Sequence, residues 1–494
     1  ETDLVVSNDS AALGTKFPGI GIVGDFSGSL SNSGERLRLL DAAGNPADEL
    51  HYFDGAPWPR FADAGGSSLE LRNPNADNSV ASAWSASDSS ADSQWRDYSF
   101  TMTAQNPIYR PSQSGFHELR LGLLDGGELL LDDVSVIEDP GGTNRELMQN
   151  GGFSSGSSAW RLLGTHEESA VVVDAGNPVL HVVATARMNY MNNLLETSLK
   201  AGGSLVPVQA GTDYRISFRA KWLGGSPQFR AELYYNKVAA TFILDQPATG
   251  GTPGESNSSF EPNIGPTIDR VAHVPAVPAP NTPIKVECRI DDPDGTANAQ
   301  LHYAVSGGAF QTATMTESGE AGIWSGQIPG QSGGTKIQFY IEAEDGAASA
   351  ASTLYPAGGE DSRAMVQIAD GRHSNSRQNF RIIMTNADSS AMHNSNDLLQ
   401  NRRLGCTVIT NEYDIAYNCG IRLRGSMFSR RNSGGTGLNI KFPSDRRFRG
   451  IHNSVTTRTS GRIELLAKHI INHAGGMHDN YNDVAQLIHT TQNG

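Results

Sequence analysis

Cysteine is nearly absent: three in 494 residues cannot build a disulfide scaffold. No apolar run approaches the ~20 residues of a spanning helix, so no transmembrane segment is expected. Charged residues are sparse at 18% and aromatics at 7%, while 54 glycines and 23 prolines punctuate the chain. That balance suits turn-rich β modules and excludes a helical bundle or a coiled coil. A net charge of −15 excludes the chain as a whole from nucleic-acid binding. What is plentiful is length. At 494 residues the chain exceeds what one hydrophobic core can serve, so several domains are expected.

The charge is unevenly spread. Residues 1–376 carry −22 and residues 377–494 carry +7, so only the back end suits an anionic ligand. Glu1 is preceded by no methionine and followed by no apolar leader, and no closing element precedes Gly494. The sequence is therefore expected to be a piece of something longer. Cys288 alternates with Val286 and Ile290 on one strand face and is expected to be a buried core thiol. Cys406 and Cys419 flank a hairpin and could pair, which would suit an exporting compartment.

Short runs such as Arg36-Leu37-Arg38-Leu39-Leu40 and Ser68-Leu69-Glu70-Leu71 alternate with turn signals, which predicts a β-sandwich over residues 1–90. Farther on, Tyr214, Ile216, Phe218, Ala220 and Trp222 alternate with polar residues, as do Phe229, Ala231 and Leu233. Period-two alternation of that length predicts a half-buried antiparallel sheet. Residues 91–140 are either the tail of one unit or the last strands of a permuted one. They are too few to fold alone, so we read 91–250 as one domain. A Gly/Pro/Ser/Asn-rich stretch predicts a linker over 251–266, and strands after it predict a second sandwich over 267–372. From 373 to 494, strands and a polar Arg/Ser/Gly loop lead to a helix marked by Ile463, Leu466, Ala467, Ile470 and Ile471, stopped by Gly475-Gly476.

Several of these runs resemble known families. Gly34-Glu35-Arg36-Leu37-Arg38-Leu39, Pro57-Trp58-Pro59 and Gly66-Ser67-Ser68-Leu69-Glu70-Leu71 resemble the C-terminal part of a lamin-tail domain, an immunoglobulin-like module of large bacterial surface proteins. Asn150-Gly151-Gly152-Phe153 with Trp160, and Leu131-Asp132-Asp133-Val134-Ser135-Val136, resemble carbohydrate-binding-module-like jelly rolls in permuted order. Phe339-Tyr340-Ile341-Glu342-Ala343 resembles the late strands of immunoglobulin or fibronectin-type-III-like modules. Gly420-Ile421-Arg422-Leu423-Arg424-Gly425-Ser426, Ile440-Lys441-Phe442 and Phe448-Arg449-Gly450 resemble the N-terminal part of the spore-coat CotH kinase family, atypical kinases that use ATP with Mg or Mn. The fold class is thus mainly β and multidomain: tandem β-sandwiches and a jelly roll, then a truncated α+β kinase-like segment.

The CotH resemblance implies that Arg424, Gly425 and Ser426 line a phosphate loop, that Lys441 is the phosphate-binding lysine and that Glu464 pairs with it. It implies no catalytic residue in this stretch. The family's acidic groups fall beyond Gly494, and nothing matches Asp479 or Asp483 to them. A fragment of an exported or surface-attached protein that does not itself catalyse is the expectation. Its partners would be glycans or cell-envelope proteins. The alternative is a non-enzymatic adhesion or carbohydrate-binding protein.

Each remaining candidate has a bland counterpart. Trp160, Tyr190 and Tyr234 could stack on sugar, whereas Trp222 shares the apolar strand face and is read as core. Asp132-Asp133 and Asp291, Asp292, Asp294 could hold calcium, but neither run has the twelve-residue loop pattern and turn formation is the default. His469 and His473, with His478 just beyond, are read as a solvated or interface helix face, because no Glu follows the first His. The arginines 422, 424, 430, 431, 446, 447 and 449 are read as either a polyanion site or a set of bridges to acidic partners.

Overall fold

In a computed structural model the described residues are 5–63, 65–107, 115–188, 192–247, 251–372, 378–394, 398–426, 429–432, 437–458, 462–474 and 484–489. Strand is their main regular structure, arranged in many sheets, with three α-helices among them. Tyr190, Gly475, Gly476, His478, Asp479 and Asp483 lie outside the described residues.

The predicted alternation is realised in strand Asp213–Gly225, where Tyr214, Ile216, Phe218, Ala220 and Trp222 are buried. This strand pairs on one side with Gly127–Glu138 and on the other with Arg96–Thr103. A second sheet facing it is centred on Glu118–Leu123, flanked by Leu195–Ser198 and Gln228–Leu233. The inward residues of both sheets, among them Leu119, Leu121, Leu129, Leu131, Phe218 and Phe229, form one continuous core. Gly127–Glu138 and Glu118–Leu123 therefore sit in the middle of the two sheets, while Arg96–Thr103 forms an edge of the first. Trp222 is core, as its face predicts.

Two sheets also form the unit over Thr267–Gln367. Ile284, Val286, Cys288 and Ile290 of one face Leu301, Phe339, Ile341 and Ala343 of the other. Cys288 is buried opposite Trp324, and burial pushes its thiol up to about 12. Asp292 makes a turn by accepting the Asp294 amide at 2.7 Å, as the default reading has it.

Residues 1–90 depart from the expected sandwich. Among the described residues their strands pair as three separate two-stranded ribbons: Val5–Ser7 with Ile22–Asp25, Glu35–Leu40 with Pro46–Tyr52, and Leu69–Leu71 with Trp84–Ala86. The reason is a shortage of inward apolar side chains. Leu39, Leu40, Val23 and Phe26 are exposed, and Trp58 and Ala83 are the buried apolar residues. The segment is held instead by its neighbours. Phe61 packs where a side chain on Gly224 would sit, and Glu70 accepts bonds from the Ser258 hydroxyl and from the amide and hydroxyl of Ser259. The expected linker 251–266 is accordingly no free spacer. Asn73 donates to the Glu261 and Pro262 carbonyls, and Asn263 to Asp345.

The last sheet runs in the order Ser454–Thr456, Leu438–Lys441, Asp414–Leu423, Leu404–Thr410, Asn379–Ile383, Gln486–His489. All its pairs are antiparallel except the final one. Helix Asn386–Met392 is capped by Thr385, whose hydroxyl accepts the Asp388 amide. This sheet is fused to the preceding sandwich through shared buried residues. Tyr417 of strand 414–423 lies in the sandwich core. Its hydroxyl accepts the His273 backbone N–H at 3.0 Å and donates to His273 Nδ1 at 2.6 Å, while Nε2–H donates to the Ala276 carbonyl at 2.9 Å.

Candidate functional site

The basic residues of the back end lie on the face of the last sheet that meets the preceding sandwich through Thr407 and Ile409, at the strands farthest from that contact. In strand 414–423, Cys419, Ile421 and Leu423 turn inward, so Gly420 and Arg422 turn outward and Arg424 continues the row. In strand 438–441, Leu438 and Ile440 are buried, leaving Asn439 and Lys441 outward. Two outward positions carry glycine for a reason visible in space. A Cβ on Gly420 would lie 3.0 Å from Arg403 Cδ, and one on Gly405 would lie 2.4 Å from Arg363 Cγ. The glycines make room for arginine stems laid flat on the sheet.

The two arginines differ in what neutralises them. Arg363 pairs with Asp388 at 2.5 Å. Arg403 donates to the carbonyls of Gly420 and Asn439, each at 3.3 Å, and to Asn439 Oδ1 at 2.5 Å. No carboxylate is among these partners. Burial, with the neighbouring charge of Arg422, brings the Arg403 guanidinium down to about 10. Arg424 also makes no ion pair with a carboxylate among the described residues; its stem lies against Gly437. Arg424, Arg422, Arg403 and Lys441 thus form a cationic row along one strand pair.

The proposed phosphate loop is closed on itself. Gly425 has φ +120, and a Cβ there would lie 2.9 Å from the Arg430 amide, so the turn requires glycine. The Ser426 amide donates to Ser429 Oγ at 3.1 Å, and its carbonyl accepts the amides of Ser429 and Arg430. Arg430 is buried and donates to the carbonyls of Gly425, Leu398 and Gln400 and to Asn401 Oδ1. Arg430 holds the loop; Arg424, at its start, is half-buried.

Lys441 and Glu464 are not brought together. Lys441 pairs in register with Gly420, three residues along its strand from Leu438, the partner of Leu423. That places it ~10 Å of strand from the Arg424 end. Its Nζ approaches Gly55, and its charge draws down the carboxyl of Asp63, which burial raises overall. Glu464, in the first turn of helix Arg462–His473, pairs instead with Arg458 and, at 3.8 Å, with Lys468. An i,i+4 partner on the same helix is always within reach, whereas Lys441 lies on another element.

Much of the remaining arginine run is structural. Arg446 pairs with Asp414 at 2.5 Å, Arg447 lies over the Phe53 ring and Arg449 donates to Gln378. His469 and His473 are exposed neighbours on their helix, and among the described residues no group of three His, Cys, Asp or Glu side chains is placed to hold a metal ion. Asp132 is buried; Asn177 donates to one oxygen at 2.7 Å and the other finds no partner among the described residues. Asp133 pairs with Arg219 at 3.3 Å.

Of the sugar-binding candidates, Trp160 is corrected: it is buried against Phe153, with its N–H on the Asn150 carbonyl at 3.1 Å. Tyr234 is half-buried in the turn after strand Gln228–Leu233, beneath the Arg120 guanidinium. Beside it Phe116 stacks on Tyr235, and Arg120 joins Glu196 and Glu232 in an ion-pair network. Burial raises the Glu196 carboxyl. The sequence reading missed Arg403, Asn439, Arg120 and Tyr235; the usable signal for Arg403 was a glycine inside a strand. It also passed over three short matches. Gly152-Phe153-Ser154-Ser155-Gly156 and Gly330-Gln331-Ser332-Gly333-Gly334 stand in turns, and Gly19-Ile20-Gly21-Ile22-Val23-Gly24 enters a strand. None leads from a strand into a helix, which a nucleophile elbow or a dinucleotide fingerprint requires.

No protein-family model matches the chain, and no curated protein does. Among solved structures, a marsupial T cell receptor is similar over 74% of this chain and 100% of its own, at 8% identity and a TM-score of 0.18. A pullulanase from Bacillus acidopullulyticus is similar over 52% of this chain and 33% of its own, at 11% identity and a TM-score of 0.11. Scores this low carry no argument about fold or function.

Proposed function

We propose that this chain belongs to an exported, multimodular protein whose last sheet binds the phosphates of ATP, as the nucleotide-binding part of a CotH-like kinase acting on secreted or surface proteins. The observation that carries the reading is the cationic row Arg424, Arg422, Arg403 and Lys441, in which neither Arg403 nor Arg424 has a carboxylate partner among the described residues. A phosphate ester is the ligand class that satisfies several guanidinium groups at once. The residues fit the phosphates better than the metal. Among the described residues no group of three or more His, Cys, Asp or Glu side chains is placed to hold Mg or Mn, so the ion would be carried by the phosphates themselves.

Titration calorimetry with ATP and Mg checks this directly. Arg403→Ala and Lys441→Ala should each weaken binding about 10- to 100-fold, the worth of one charge-assisted contact. Unchanged affinity in both variants sinks the site.

A second reading is favoured by the Tyr234–Tyr235–Phe116 aromatic group beside the Arg120 network, which suits a surface that stacks and hydrogen-bonds a glycan. Glycan-array binding lost in Tyr234→Ala would favour an adhesion protein; an array without signal would dismiss it.

A further inference from the structure

We infer that Cys406 and Cys419 are the two halves of a cross-strand disulfide, formed when the chain folds in an oxidising medium. The cysteines are directly opposed in the antiparallel pair Leu404–Thr410/Asp414–Leu423. Both turn to the core face of the last sheet and are buried there. Directly opposed residues in antiparallel strands have Cα atoms roughly 4.5–5.5 Å apart, inside the range a disulfide bridges. The local backbone is adaptable. The neighbouring opposed pair is Gly405 with Gly420, and the register shifts between Cys406 and Val408. Bulged, glycine-flanked strands accept the added twist that a disulfide dihedral asks of them.

All three cysteines carry free thiols in the structure, and Cys419 donates only a weak bond, to the Ala416 carbonyl at 3.5 Å. Cys288 sits in a different core, opposite Trp324, and offers no competing partner. Burial raises the Cys406 and Cys419 thiols, so the exchange belongs to folding, before the strands close over the pair. The balance is a two-electron exchange with a small-molecule disulfide such as oxidised glutathione. One cysteine thiolate attacks the glutathione disulfide and expels a glutathione thiolate. The second cysteine thiolate then attacks the mixed disulfide and expels the other glutathione. Two protein thiols are oxidised to one S–S bond, and the two protons leave on two glutathione thiols.

The bond would lie beneath Gly405 and Gly420, over which Arg363 and Arg403 are laid. It therefore fixes the register of the strands that carry the cationic row. The inference does not depend on what that row binds.

The test refolds the full chain in a glutathione redox buffer, alkylates it under denaturing conditions and digests it with trypsin. Cys406 and Cys419 fall in one arginine-bounded peptide, Leu404–Arg422. That peptide should be lighter by two hydrogens and carry no alkyl group, with reactive thiols falling from three to one. In Cys419→Ser, Cys406 should be alkylated quantitatively, and Cys288→Ala should leave the pairing intact. A correctly folded wild-type chain whose 404–422 peptide is doubly alkylated after that refolding overturns the inference.

Discussion

Arg381→Leu is expected to destabilise the last sheet by about 2–3 kcal/mol, the loss of a buried guanidinium's charge-assisted bonds to two partly exposed carboxylates. Arg381 is 1% exposed, and all three guanidinium nitrogens are engaged. It donates to Gln367 and Asp370, each at 3.1 Å, and to both oxygens of Glu412. Two elements depend on it. Asp370 ends the sandwich, and although burial alone raises its carboxyl, the Arg372 amide and the Arg381 charge bring it below the ordinary value. Glu412 stands in the hairpin turn with φ +65, next to Asn411 at φ +55, a left-handed pair that non-glycine residues enter only when held. Leucine would leave both acids facing an apolar side chain. Denaturant unfolding followed by hydrogen exchange in strand 379–383 reads the loss. Restoration in a variant that also replaces Asp370 and Glu412 by apolar residues would show that stranded charge is the cause. A loss below 1 kcal/mol would mean that the ion-pair cluster is not formed.

Acid should loosen the fold well before its carboxylates are exhausted. His166 and His273 are both buried, and burial lowers each to about 4, against an ordinary value near 6.5. The unfolded chain therefore binds these protons first. Each histidine contributes stability that is complete above about pH 6.5 and is lost as the pH falls toward 4, about 3 kcal/mol apiece. His273 carries the larger structural consequence. Its Nδ1 accepts from Tyr417, so protonation breaks one of the hydrogen bonds that join sandwich and sheet. His273→Gln keeps an N–H for the Ala276 carbonyl but cannot titrate. Unfolding free energy measured from pH 7.5 to 4 should fall less steeply in this variant than in wild type, by about 3 kcal/mol over the range. Parallel profiles would exclude His273 as the acid trigger.

Local pattern made part of this architecture legible. The alternation from Tyr214 to Trp222 marked a half-buried strand, and Cys288 and Trp222 were placed in cores by the face they share. What stayed hidden is non-local. Arg430 reads in sequence like the other arginines, and nothing in its neighbourhood signals a clamp across Leu398, Gln400 and Asn401. Tyr417 alternates correctly for its own strand, but its placement in the core of the preceding sandwich depends on packing between units. The ribbons before residue 90 mislead in the other direction. Their short apolar runs have strand character without enough inward side chains to close a second layer. Arg403 lay between these extremes, since Gly405 and Gly420 inside strands pointed to something passing close by, without naming it.

The central claim is that the cationic row receives phosphates, and hydrogen–deuterium exchange on the full chain with and without ATP and Mg tests it most directly. The account predicts slowed exchange confined to residues 403–405, 420–426 and 438–441, lost in Arg403→Ala. Protection elsewhere, or none at ATP concentrations that saturate a phosphate site, would contradict it.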